Sequence, residues 1–113
     1  MDLKLSPSSD EIEIFLFECV VKNLQSFYGH SYDDAVRLVN EYYAKFTDAH
    51  FCRQHGISVQ TADLFSHIAA LGMTDRVQYY QVLKNDPNES AFIEWQRKLR
   101  KRKEYRNLNG RFN

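Results

Sequence analysis

Apolar side chains recur every three or four residues along most of this chain, and that spacing places them on one face of an α-helix. The first run ends at Gly29, and its apolar positions are Ile12, Phe15, Leu16, Cys19, Val20, Leu24 and Phe27. Phe17 and Val21 widen this apolar surface, so we expect the first helix to be central. No segment longer than a few residues alternates as a half-buried strand would. The pattern predicts an all-α fold, and 113 residues suffice for a single compact domain.

Helix-capping residues divide the chain into five or six helices. Ser8 with Glu11 has the capping-box spacing, and Ser31 with Asp34 repeats it. Glycine is the usual residue just after a helix end. The predicted helix starts lie near Ser9, Ser31, Asp48, Thr61, Thr74 and Pro87, the last with Asp86 as its cap. The predicted ends lie near Gly29, Thr47, Gly56 and Gly72.

The composition excludes several classes of protein. Charged residues make up 27% of the chain and hydrophobic residues 43%, which is ordinary for a globular domain. No stretch approaches the roughly 20 apolar residues of a membrane span, and residues 1–9 lack the pattern of a signal peptide. Cys19 and Cys52 are too few for a disulfide framework. We therefore expect a cytoplasmic protein.

A net charge of zero conceals two parts of opposite sign. Residues 1–95 carry a net charge of −7 and residues 96–113 carry +7. Many of the acidic residues fall at predicted helix starts, where the helix dipole favours a carboxylate, so capping explains much of the acidity. We divide the chain into a helical domain, residues 1–99, and a basic C-terminal helical extension, residues 100–113.

The basic segment leaves three interpretations open. Its cations and one aromatic side chain are typical of a surface that binds phosphates and stacks on a base. They equally suit docking on an acidic protein surface, or a solvated helix end whose cations lie at the negative pole of the dipole. No sequence signature of a nucleic-acid-binding fold accompanies them. The candidate nucleic-acid-binding residues are Arg97, Lys98, Lys101, Arg102 and Tyr105.

Two pairs of adjacent tyrosines are consistent with a binding surface or, equally, with packing at the edge of the core. Neighbouring residues of a helix point about 100° apart, so we expect one member of each pair in the core and the other partly exposed. Exposed tyrosines are enriched at protein interfaces, where they combine a large apolar area with one polar tip. We assign Tyr43 and Tyr79 to the exposed set, together with the acidic residues Asp33, Asp34 and Glu41.

Catalytic and metal-binding motifs are weak. His50 and His55 are five residues apart, which does not place them on one helical face, and Cys52 between them completes no metal-binding spacing. Asp63 and His67 share a face at i and i+4, but no nucleophile, phosphate-binding loop or second carboxylate lies beside them. We expect no metal site, no cofactor and no enzyme activity.

The region from about residue 50 to 97 contains a distinct set of residues: Gly56, Ile57, Val59, Gln60, Gly72, Met73, Arg76, Val77, Tyr79, Tyr80, Leu83, Lys84, Asp86, Pro87, Phe92, Ile93 and Trp95. Through them the region resembles a pattern found in small uncharacterised bacterial proteins. The resemblance implies a bacterial setting and a compact helical domain, and it carries no activity, cofactor or site. Many small bacterial domains without catalytic motifs are immunity proteins that neutralise toxins.

The sequence therefore predicts a non-enzymatic protein-binding module. In its most specific form this module is an immunity-type inhibitor that neutralises a cationic toxin, such as a nuclease, through an acidic, tyrosine-bearing surface. The alternative is an accessory protein that binds RNA or DNA through the basic C-terminal segment. The oligomeric state is left open.

Overall fold

The computed structural model describes the backbone of residues 10–111 and the side chains of residues 10–101. This part of the chain forms an all-α domain without a strand, which confirms the predicted fold class. None of its helices is long and apolar enough to cross a membrane. The elements are α1 (Glu11–Tyr28), α2 (Tyr32–Phe46), α3 (Ala49–Gln54), α4 (Ala62–Val77), a π-helix (Gln78–Val82) and α5 (Glu89–Arg111).

Local side-chain caps start the helices. Ser31, Asp48 and Thr61 each accept a hydrogen bond from the backbone N–H three residues later, as predicted. The predicted cap of α1, Ser8, lies outside the described residues, and Asp10 caps that helix. The predicted start of the last helix at Pro87 is wrong, because the Asn88 amide accepts from the backbone N–H of Ala91 and the helix begins at Glu89.

The predicted helix end at Gly72 and restart at Thr74 are also wrong. The backbone of α4 breaks at Ala69, where φ is +69° and ψ is 173°, a conformation that is strained for a residue with a Cβ. Gly72 is helical, and a Cβ there would come within 2.6 Å of Ile68 Cγ2. The Thr74 hydroxyl is buried and donates to the carbonyl oxygen of Ala70 at 2.7 Å, so it lies inside the helix.

The core lies between α1, α2 and α4. Helix α1 packs against both of the others, as the sequence predicted, and the π-helix closes the core next to α2 and α4. The Phe17 ring meets the rings of Phe65 and Tyr43 at 5.1 and 5.7 Å. The largest fully buried side chains are Tyr42, Phe17, Phe65, Phe92, Leu24 and Met73.

Candidate protein-binding surface

The predicted exposed tyrosines are buried. Tyr43 is 6% exposed and Tyr79 is 8% exposed, and their neighbours Tyr42 and Tyr80 are buried as well. The Tyr43 hydroxyl donates to Glu13 Oε1 of α1 at 2.5 Å, and helix α5 covers Tyr79 with aromatic rings 5.1 and 5.5 Å away. The prediction of one exposed member in each pair is therefore wrong, because both α2 and the π-helix are covered by neighbouring elements on more than one side.

A tyrosine that the sequence interpretation missed is exposed instead. Tyr32 is the first residue of α2 and is 49% exposed. It follows the cap residue Ser31 directly, at the start of α2, and nothing in the apolar period distinguishes it from the buried tyrosines. Tyr32 and Glu18 of α1 line the same groove between the two helices.

The three predicted acidic residues do share one exposed face of α2. Arg37 lies between them, with Nη2 3.5 Å from Asp34 Oδ1 and Nη1 3.2 Å from Glu41 Oε1. Gln81 Nε2 donates to the other carboxylate oxygen of Glu41 at 3.3 Å. We call Asp33, Asp34, Arg37 and Glu41 the α2 acidic face. Three carboxylates and one guanidinium give it a net charge of −2, so it is acidic but partly neutralised.

Helix α1 exposes apolar side chains to solvent. Ile12 is 71% exposed and Phe15 is 67% exposed, and Leu16 and Cys19 beside them are partly exposed. We call these four residues the α1 stripe. With 3.6 residues per turn, Ile12, Phe15 and Cys19 lie at least about 120° around the helix from the centre of the buried face. Leu16 lies at the border and also packs against the core. The buried face consists of Glu13, Phe17, Val20, Val21 and Leu24.

A groove runs between α1 and α2 next to this stripe, and we call it the α1–α2 groove. Its volume is about 490 Å³. Val21 and Val36 are buried and form its base, and Ile14 adds a partly buried apolar wall. The polar and aromatic residues around the groove are Glu18, Lys22, Gln25 and Tyr32. Apolar groups with a few polar ones at the edge are typical of binding pockets.

An ion pair with one nearly buried member, Arg76, joins α4 to the start of α5. Arg76 of α4 is 8% exposed, and both of its Nη atoms donate to the carboxylate of Glu89, with Nη1 at 2.8 Å from Oε2. The guanidinium carbon lies 4.5 Å from the centre of the Phe92 ring. The hydrogen bonds from Arg76 lower the pKa of Glu89, and burial raises the pKa of Tyr80 to about 12. This pair fastens the start of α5 to α4.

The residues considered for catalysis lie on an exposed surface, and those considered for metal binding do not form a ligand group. Asp63 and His67 are both exposed on α4. Cys52 is buried, and its thiol lies 3.5 Å from the carbonyl oxygen of Phe46, while His55 packs on the Phe51 ring outside. Among the side chains that the structure describes, no group of three His, Cys, Asp or Glu could hold a metal ion.

The basic residues lie on the outer side of α5. Arg97, Lys98 and Lys101 are exposed, and Lys98 Nζ lies 3.4 Å from Glu94 Oε1. The side chains of Arg102 and Tyr105 lie outside the described residues. The helix itself continues to Arg111, as the predicted helical extension requires.

Comparison with protein families, with curated proteins and with solved structures gives no match. The resemblance to small bacterial proteins therefore stays a prediction.

Proposed function

We propose that this protein is a non-enzymatic protein-binding module. The observation that carries this proposal is the α1 stripe beside the α1–α2 groove. Soluble domains rarely expose large apolar side chains next to one another unless a partner covers them. Phe15 and Ile12 together offer an aromatic and an aliphatic side chain, and the groove offers a hole with an apolar base. An interface built on a protruding ring and a neighbouring hole concentrates binding energy in few residues.

The immunity-type form of this proposal uses the α2 acidic face. A cationic partner would meet carboxylates that are already held in place, since Arg37 contacts Asp34 and Glu41 and Gln81 contacts Glu41. Fixed charges of opposite sign speed association and select the partner more than they raise affinity. On this proposal the α2 acidic face increases the rate at which a cationic partner associates. The α1 stripe and the α1–α2 groove supply the apolar contacts of protein binding.

A test of the module uses two variants that each introduce an aspartate at a different exposed apolar position. Phe15→Asp puts a charge into the α1 stripe, and Val59→Asp puts one on the exposed connector between α3 and α4. We expect wild type and Val59→Asp to retain the same partner from a lysate treated with nuclease. The amount of partner retained by Phe15→Asp should be at least about tenfold lower, because burying an unpaired charge opposes binding. Equal retention by all three proteins would remove the α1 stripe from the binding surface.

The acidic face makes a separate kinetic prediction. Reversing Asp33, Asp34 and Glu41 to lysine is expected to slow association with a cationic partner about tenfold or more at low salt, and to flatten the dependence of the on-rate on salt. Stopped-flow or surface-plasmon kinetics measure both quantities. Asp63→Lys, at an exposed position of α4, is the control for the single reversal Asp34→Lys, because both change the net charge by the same amount. An unchanged on-rate in the triple variant would exclude these carboxylates from steering.

A second candidate function rests on α5. Arg97, Arg100 and Lys101 are spaced i, i+3 and i+4, so they share the outward face of the helix and could contact successive phosphates. Through this face the protein would bind RNA or DNA, which is the alternative function predicted from the basic C-terminal segment. The same capture experiment separates the two candidates, because loss of all bound material on nuclease treatment favours α5 and nucleic acid.

A further inference from the structure

We propose that the α1 surface closes on a second copy of this chain, in an antiparallel pair whose twofold axis passes close to Cys19. Each copy would insert Phe15 into the α1–α2 groove of the other. This inference rests on the proposed function, because it names the occupant of the same surface.

The positions along α1 fit this arrangement. Phe15 lies four residues before Cys19, and Lys22 and Gln25, at the mouth of the groove, lie three and six residues after it. At about 1.5 Å per residue, Phe15 is about 6 Å to one side of Cys19 and the groove mouth is roughly 5–9 Å to the other. A twofold axis at Cys19 exchanges these two sides, so each ring arrives at the other copy's groove.

The direction of the side chains fits as well. Phe15 precedes Glu18 by three residues and Lys22 by seven, so all three lie along one flank of α1, and the last two line the groove. In an antiparallel helix pair, the same flanks of the two helices meet. The protruding ring and the hole are therefore on the flank where each can meet the other. A closed symmetric dimer requires such a self-complementary surface.

The charges at the edge of the groove are complementary under the same symmetry. Glu18 lies one residue before Cys19 and Lys22 lies three residues after it, so Glu18 of each copy comes opposite Lys22 of the other within about 3 Å along the axis. Side chains of this length span that offset. A parallel pair would instead place Glu18 against Glu18 and Phe15 against Phe15, leaving the groove unfilled. Charge and shape both select the antiparallel arrangement.

The size of the surface sets the expected strength. A standard interface contains about 20–30 residues on each partner, whereas this contact consists of the four residues of the stripe and the seven that line the groove. We therefore expect a dissociation constant in the micromolar range. Asp34 and Glu41 of the α2 acidic face stay outside this contact, because they lie about 140–160° around α2 from Val36, which lines the groove.

Cys19 supplies a direct test by disulfide trapping. Packed helix axes lie about 8–10 Å apart and Cα atoms lie about 2.3 Å from the axis, so facing Cα atoms at the twofold fall roughly 3.5–5.5 Å apart. That range overlaps the Cα separation of about 4.4–6.8 Å in disulfides. Diamide would oxidise the two Cys19 thiols to one disulfide, taking up the two electrons and two protons that they release.

The trapping experiment uses the full chain at about 100 μM. We expect diamide to convert most of the wild-type protein and the Cys52→Ser variant into a covalent dimer within minutes, and Cys19→Ser to remain monomeric. Cys52 is 1% exposed, so it does not compete. Phe15→Asp should lower the yield at least tenfold, whereas Val59→Asp should not. A wild-type yield no higher than that of Phe15→Asp would overturn the proposal.

A charge exchange tests the register without any crosslink. Glu18→Lys alone and Lys22→Glu alone should each raise the dimer dissociation constant severalfold in analytical ultracentrifugation between about 5 and 500 μM. The double variant should restore it, because each lysine again faces a carboxylate of the other copy. Monomeric wild type throughout this range would reject the dimer. In that case, a lysate partner retained by wild type and lost by Phe15→Asp would still support the proposed function, so the two can fail separately.

Discussion

Replacing Phe17 with alanine is expected to lower the free energy of unfolding by about 3–5 kcal/mol. The Phe17 side chain is fully buried between α1, α2 and α4, and its ring makes edge contacts with Phe65 and Tyr43. Truncation removes the apolar burial and leaves a cavity that three helices cannot close without moving. Domains of this size are stable by only about 5–15 kcal/mol, so the variant should be close to unfolding.

Phe15→Ala is the matched control for this prediction. It makes the same change on the same helix, but the side chain is 67% exposed, so we expect the free energy of unfolding to change by less than about 1 kcal/mol. Urea denaturation followed by circular dichroism measures both variants. Equal losses would show that Phe15 is buried as well as Phe17, and the α1 stripe would then belong to the core.

Glu89→Ala is expected to lower the free energy of unfolding by about 2–3 kcal/mol. The substitution leaves the guanidinium of Arg76 nearly buried without its carboxylate, and breaking a fully buried pair costs about 3–5 kcal/mol. The figure is reduced here because the side chain of Glu89 is itself about half exposed, so solvent screens part of the interaction. The start of α5, with Phe92 and Trp95, should loosen first, because this ion pair fastens it to α4.

Two further variants isolate the cause. Glu94→Ala also removes a carboxylate of α5, but its pair with Lys98 is exposed on both sides, so we expect a change within about 0.5 kcal/mol. Combining Arg76→Met with Glu89→Ala should recover part of the loss, because no buried charge then lacks a partner. A loss from Glu89→Ala no larger than that from Glu94→Ala would contradict a structural role for the pair.

The same pair predicts a pH dependence with a defined sign. Hydrogen bonds from Arg76 lower the pKa of Glu89 in the folded protein, so the ionised form is favoured by folding. Its contribution is therefore present above the unfolded pKa of about 4.3 and is lost as the pH falls through the lower folded value. The stability difference between wild type and Glu89→Gln should shrink below about pH 4. A constant difference from pH 7 to pH 3 would exclude this linkage.

The two proposals assign different roles in binding to two different surfaces. The α1 stripe and the α1–α2 groove contribute apolar contact, and the α2 acidic face contributes charge that Arg37 holds in position. Self-pairing through α1 would leave one acidic face on each copy exposed. The dimer would then present two equivalent acidic faces to a cationic partner. Once a partner with two cationic sites has bound one face, its second site is at a raised effective concentration near the other face.

The sequence by itself determined where most helices begin. Ser31, Asp48 and Thr61 cap α2, α3 and α4 because each side chain bonds to a backbone N–H only three residues away. Gly29 and Gly56 end helices at positive φ because a residue without a Cβ adopts that conformation at little cost. These interactions are local, and no distant contact is needed to specify them. The all-α fold follows from them together with the apolar period.

Only the tertiary structure decided which apolar and aromatic side chains are buried. Helix α1 carries apolar residues on two faces, and the period does not tell which face α2 and α4 will cover; they cover Phe17 and leave Phe15 in solvent. Tyr43 and Tyr79 are buried because α1 and α5 pack over them. Burial depends on neighbours that are distant in sequence, so the apolar stripe and groove that carry the proposed function emerge only once the helices have packed.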